Sequence, residues 1–323
     1  MQNGASSTMP QITSELESTA THVDSEILLG DITFQTVAMP MVAADTSLYR
    51  LSSKEAAFFK AQIGIDDDED LKRHILEVQA KAYEVAIYHC IDNFSFLRLN
   101  LSDFSVYEHI LELGRERPDA LLLDIGCCFG VDARKAAADG FPAKNIIASD
   151  LRNEFLQLSH ELFKTTPASY PACLLPGDIF DPAFLSIAAP SDDISPAPSI
   201  DLTSLKSLNP LHGRISAINA SKFFHLFNEE KQLHVAKALA GLLSAQPGSV
   251  ICGYQVGTLE QGMVNAIIRG SKHQLFTHSP KTWSSLWDGE VFEKGSVEVE
   301  TELVEVPLHV EQFFMMKWSV VRL

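Results

Sequence analysis

The chain has 323 residues, 46% of them hydrophobic, with 42 acidic against 25 basic side chains and a formal net charge of −17. That length and apolar content suffice for one large or two smaller domains with a sizeable core, and the acidic excess argues against a broad nucleic-acid surface, whose affinity rests on Lys and Arg. No apolar run reaches the roughly 18 to 20 residues of a membrane span, the N-terminus lacks the pattern of a secretory signal, and Cys90, Cys127, Cys128, Cys173 and Cys252 sit mostly in apolar runs, which fits buried thiols in a reduced, cytoplasmic setting.

Residues 1–25, rich in Ser, Thr, Gln and Glu without apolar periodicity, are read as a disordered tail. Residues 26–118 form an N-terminal helical cap or lid region, with a short apolar piece at 33–39, a helix from Ser53 to Gln62 and a second helical pattern from Leu71 to Cys90. The acidic run 65–70 has two readings. It resembles the metal-binding acid clusters of terpene cyclases, or it starts a helix whose first turn carboxylates stabilise through the dipole.

Residues 119–323 then alternate strand and helix, which predicts an α/β fold: a Rossmann-like, seven-stranded, mostly parallel sheet with helices on both faces and an antiparallel C-terminal edge strand. Strand 121–125 leads through Asp124-Ile125-Gly126-Cys127-Cys128-Phe129-Gly130 into a helix from Val131 to Asp139, closed by Gly140. Gly126 and Gly130 let the backbone turn and approach a ligand. Strand 145–150 ends on Asp150, about 20 residues beyond the last glycine, where nucleotide-binding folds place a ribose-holding carboxylate. The loop lacks the G-x-G-x-x-G spacing that suits a pyrophosphate, and Asp124 is a poor neighbour for phosphate and a good one for an ammonium. This charge logic favours S-adenosylmethionine over a dinucleotide. The adjacent Cys127 and Cys128 could also signal metal or redox chemistry, although no C-x-x-C accompanies them. Further elements are a helix over 153–164, a strand over 172–175, a mobile Pro- and Ser-rich surface insertion over 181–211, a strand over 215–219, a helix over 229–244 and a strand over 250–255. A helix over 280–287 and strands over 297–306 and 313–323 close the chain.

From about Leu71 onward the chain resembles the class I S-adenosylmethionine-dependent methyltransferases. More narrowly, it is similar to the fungal meroterpenoid O-methyltransferases that esterify a carboxylic acid on a farnesylated aromatic polyketide. The resemblance rests on residues 86–97 (AIYHCIDNFSFL), 123–130 (LDIGCCFG), 149–152 (SDLR), 223–227 (FFHLF), 253–257 (GYQVG) and 278–287 (HSPKTWSSLW). Two departures are His89, where relatives often carry proline, and the length of the 181–211 insertion.

The resemblance implies roles for individual residues. Asp124 would accept from the cofactor ammonium, Gly126 and Gly130 would lie along it, and Asp150 would hold the ribose hydroxyls. Leu151, Asp178 and Ile179 would meet the adenine, with Asn219 and Ala220 at the end of the fourth strand. Asp150 and Asp178 also fit turn carboxylates. His225 is the candidate base or substrate-orienting group, with a backbone-bonded structural histidine as the plain alternative. Tyr88, Phe94, Phe96, Ser221, Gln255, His278 and Trp283 are candidates for the acceptor pocket; the aromatic ones equally suit core positions, as does Trp287. Tyr107 is a weaker lid candidate, and Arg152 either holds a carboxylate or pairs on the surface. No metal site and no membrane span are expected; the expected partner is a small apolar acid, with a homodimer left open. Methyl transfer to a carboxylate needs no base, because the nucleophile is already ionised at neutral pH, whereas a phenol wants one. A phenol acceptor and a cofactor-bound, non-methylating cyclase are the alternatives.

Overall fold

The structure is a computed structural model that describes residues 28–29, 32–33, 45–195, 200–268, 271–306 and 313–323. The tail expected over 1–25 lies outside the described residues, as does most of the piece at 33–39. Five parallel strands carry the fold: β1 (Leu122–Ile125), β2 (Ile146–Asp150), β3 (Cys173–Pro176), β4 (Ala217–Asn219) and β5 (Val250–Gly257). The hairpin β6 (Gly262–Ile268) and β7 (Ser271–Thr277) follows, and then β8 (Val297–Val306) and β9 (Phe313–Arg322). The large sheet has seven strands in the order β8-β9-β5-β4-β1-β2-β3. The expected antiparallel C-terminal strand is β9, which runs against both β5 and β8 and leaves β8 outermost.

β1 is buried at every position, as a central parallel strand covered on both faces must be. Its register sets Asp124 beside Ala148 of β2 and Asn219 of β4. On one face, α3 (Tyr107–Glu116) and α4 (Val131–Ala138) cover Leu122, Ile146, Ala217 and Val250. On the other, α6 (Glu229–Leu242) and α7 (Pro280–Trp287) pack over Leu123, Ile218 and Ile251. The 181–211 segment is not merely a surface insertion. Leu185, Leu208 and Leu211 are fully buried in this second core, because apolar side chains spaced along an irregular segment can still seal a helix–sheet seam.

The cap consists of α1 (Ser53–Ile63), α2 (Asp68–Val85) and the turns that follow. Ser52 and Glu55 form a capping box at the start of α1. The acidic run resolves as a helix start: Asp67 accepts from the Glu69 and Asp70 amides at 3.0 and 2.9 Å, Asp68 pairs with Lys60 at 2.8 Å, and Asp70 pairs with Arg73. The cap shares a core with α5 (Asn153–Leu162), in which Phe58, Phe59, Phe94 and Phe96 meet Phe129, Phe155 and Phe163. Among the described residues, no helix is long and apolar enough to cross a membrane.

Candidate active site

The glycine loop between β1 and α4 follows from three left-handed residues, Gly126 (φ 65°), Cys128 (φ 53°) and Gly130 (φ 64°). Two are glycines, for which this region is open; Cys128 tolerates it because its amide is tied, donating to Asp150 Oδ2 at 2.8 Å. Asp150 Oδ1 accepts from the Arg152 amide at 2.9 Å. Each oxygen keeps a second lone pair free of these backbone bonds, and burial pushes the carboxyl up to about 6. Leu151 beside it leaves 44% of its surface exposed, an apolar patch next to the acid.

Asp124 is buried at the end of β1 and accepts from Asn219 Nδ2 at 2.8 Å and from the Ala133 amide at 3.3 Å. Burial, with the neighbouring Asp132 carboxylate, holds its carboxyl well above the usual range. Ser221 Oγ donates to Asn219 Oδ1 at 2.7 Å, so Asp124, Asn219 and Ser221 form one polar chain across the carboxyl ends of β1 and β4. Ala220, fully buried, donates its amide to Cys252 O at 2.8 Å. Asp178 closes its own turn, accepting from the Phe180 amide at 2.9 Å, and Ile179 joins the core. Gly126 packs against the Phe223 ring so closely that an added Cβ would stand 2.4 Å from Cδ2.

The donor set fits S-adenosylmethionine. The buried Asp124 and the half-buried Asp150 supply acceptors for an ammonium and for ribose hydroxyls, and the exposed Leu151 supplies an apolar face.

His225 lies one turn past β4, half-buried, with Nδ1 unpartnered among the described residues. Burial, helped by the Lys222 ammonium and by His89, drives its imidazole down to about 4. The hairpin β6–β7, which the sequence reading stepped over, packs its second strand against residues 224–226. Gln255 is buried with its amide oxygen unpartnered among the described residues.

Several pocket candidates belong elsewhere. Trp283 is fully buried amid Phe224, Trp287 and Trp318, with ring centroids 4.9, 5.8 and 5.0 Å away, and serves as core rather than pocket wall. Phe94 is fully buried between Tyr49 and Phe96 in the cap core. Phe96 stacks its edge on Phe129 of the glycine loop at 4.8 Å, so it supports the loop from behind. His278 bonds Thr282 Oγ1 through Nδ1 at 3.1 Å at the start of α7, a structural role, and burial lowers it to about 4. Tyr107 donates to Asp139 at 2.7 Å on the far side of α4 and lines no lid. Tyr88 remains at the site's rim, its hydroxyl accepting from Arg152 Nε at 3.4 Å.

Lys222 was missed in the sequence. It has a left-handed backbone (φ 57°), and its ammonium donates to the Ser95 carbonyl of the cap at 3.2 Å. A lysine between a strand end and a Phe-Phe-His run carries no local signal of burial. A cleft of about 1090 Å³ lies at the opposite, amino edge of the sheet, lined by Arg117, Asn145, Cys173 and Arg214; it contains none of these groups.

Residues 45–97 match the family described as the meroterpenoid methyltransferase N-terminal domain. The chain is 32% identical over 234 residues to methyltransferase ausD of Penicillium brasilianum, covering 72% of this chain and 75% of that protein. It is 31% identical over 239 residues to methyltransferase trt5 of Aspergillus terreus, covering 74% and 76%. It is also 30% identical over 228 residues to the fungal O-methyltransferase phiE, covering 71% and 68%.

Proposed function

The chain belongs to the fungal meroterpenoid-type family of class I S-adenosylmethionine-dependent methyltransferases, and we propose that it forms a methyl ester on a carboxylic acid of a prenylated aromatic-polyketide intermediate. The cofactor supplies an already activated methyl group. The chain's own residues therefore have to bind, align and exclude water. Asp150 accepts the ribose hydroxyls, and Asp124, fixed by Asn219 and the Ala133 amide, faces the ammonium end. Phe96 and Phe129 back the loop whose Cys128 amide holds Asp150 in place.

The observation that carries the acid reading is His225. An imidazole held at about 4 is a feeble base toward a phenol whose pKa is about 10; a carboxylate asks for no proton transfer at all. The histidine instead stays neutral near pH 7, with its buried Nδ1 open to a hydrogen bond from what binds there. The name of phiE, an O-methyltransferase, supports oxygen as the acceptor atom.

The test is methyl transfer from labelled cofactor to matched farnesylated aromatic acids and their decarboxylated phenols, followed by mass spectrometry, with wild-type protein and His225→Ala. Product from the acids alone, with kcat in the variant within about tenfold of wild type, supports the reading. Product from the phenols, with a loss of the roughly 10²–10⁴-fold that general-base catalysis supplies, refutes it.

A further inference from the structure

Lys222 is a cation that the fold places between the cap and the carboxyl end of β4, against backbone preference. A non-glycine residue in the left-handed region costs about 1–2 kcal/mol, and such conformations persist where the surroundings over-determine them. Here the Lys222 amide donates to Tyr254 O at 2.5 Å, which fixes the backbone, and Nζ reaches the Ser95 carbonyl at 3.2 Å.

An ammonium has three donors, and the Ser95 carbonyl takes one of them. No ion pair among the described residues includes Lys222. Three acidic groups reach it with their fields, Cys90 first and then Asp132 and Glu55, and each is engaged elsewhere, Cys90 with the Cys128 thiol. Glu55 binds Arg98 at 2.6 Å and the Ser52 amide at 2.7 Å, and Asp132 accepts from the Leu101 amide at 3.0 Å. Arg98 adds positive charge nearby, and burial pulls the Lys222 ammonium below its ordinary value. Buried charges are ordinarily paired. This one follows Ser221 of the Asp124–Asn219–Ser221 chain directly in sequence, in a site whose proposed ligands carry carboxylates, with donors to spare.

We propose that Lys222 is a carboxylate-binding residue of the active site. Its partner is either the α-carboxylate of the cofactor's methionyl end or the carboxylate of the acceptor; the second source rests on the ester-forming reading above.

Lys222→Met keeps the length of the side chain and removes the charge, and Lys222→Arg keeps the charge. Each protein is titrated by calorimetry with S-adenosylhomocysteine, which has the carboxylate, and with 5′-methylthioadenosine, which lacks it; acceptor KM and kcat are measured in parallel. A charge-assisted bond is worth about ten- to a hundredfold in affinity. If the cofactor is the partner, Lys222→Met weakens S-adenosylhomocysteine by that factor and leaves methylthioadenosine unchanged. If the acceptor is the partner, both nucleosides bind as in wild type and acceptor KM rises by that factor at constant kcat. Lys222→Arg, which keeps the charge, retains most of the wild-type binding in either case.

The proposal is overturned if Lys222→Met leaves all ligands unaffected. It is equally overturned if all three weaken together with a lowered Tm, since that is the signature of a purely structural tie to Ser95. Should the wild-type protein methylate phenols and not acids, the ester reading fails on its own; unchanged S-adenosylhomocysteine binding in Lys222→Met then overturns this proposal as well.

Discussion

The close approach of Phe223 to Gly126 separates two contributions that are usually confounded when a glycine is replaced. Gly126 and Gly130 share nearly the same backbone conformation, with φ of 65° and 64°. An alanine at either position meets the left-handed penalty of about 1–2 kcal/mol. At Gly130 the new Cβ would stand 3.6 Å from Ala148 Cβ, an ordinary contact, so Gly130→Ala destabilises by that amount alone. At Gly126 the Cβ would stand 2.4 Å from Phe223 Cδ2 and 2.9 Å from Cε2. The ring is confined by Phe224 and Phe227, with centroids 6.4 and 5.1 Å away, so it cannot simply swing aside. Overpacking of this kind adds about 1–3 kcal/mol. Urea denaturation of the two variants measures the difference, and adding Phe223→Ala to each closes a double-mutant cycle. In the Phe223→Ala background the two alanine substitutions should cost the same, which gives a coupling of about 1–3 kcal/mol between positions 126 and 223. Equal destabilisation by both single variants, or no coupling to Phe223, would refute the argument.

Two further outcomes follow from the site and its supporting core. Asp150 titrates near 6 in the folded chain against about 3.9 when unfolded. The folded state therefore holds more protons between these values, and this group's contribution to stability falls as pH rises from about 4 to about 6. The proposed ribose recognition has the opposite sign, because it uses the carboxylate form: S-adenosylhomocysteine affinity should drop about fivefold from pH 6 to pH 5, a dependence that Asp150→Asn abolishes if calorimetry follows both proteins across that range. Trp283→Ala should destabilise by about 3–5 kcal/mol while leaving the ranking of acceptors unchanged; an altered preference with intact stability would return this tryptophan to the pocket.

The sheet was legible because β1, β2 and β5 are largely apolar runs that carry Asp124, Asp150 and Gln255 at or near their carboxyl ends, with helical periodicity between them. The position of Asp150 at the carboxyl end of β2 was legible through spacing alone. The hairpin was not, because Gly262–Ile268 and Ser271–Thr277 mix polar and apolar residues and only Arg269-Gly270 hints at a turn. Trp283 and Trp287, one turn apart, suit a core helix and a lined pocket equally, and only the approach of Trp318 from β9 decides between them. Phe94 and Phe96 alternate as a strand would; the left-handed φ of 58° at Phe94 bends that segment so that both rings turn into the cap core. Lys222 owes its surroundings to Ser95, Asp132 and Glu55, partners far off in sequence that no local pattern announces.

The cap shares its apolar interior with the catalytic half, and that limits how it can be exchanged. Residues 45–97 match a family named as a domain, yet Phe58, Phe59 and Phe96 bury themselves against Phe163 and Phe129, which lie outside that span. An autonomous module would carry its own hydrophobic interior. This one borrows half of it, so the isolated segment should remain unfolded in water. Grafting a cap from a relative succeeds only when residues 129, 155 and 163 travel with it. Recombination between such enzymes is thereby steered: crossovers that split the cap from the glycine loop and α5 break one core, while those beyond α5 leave it whole.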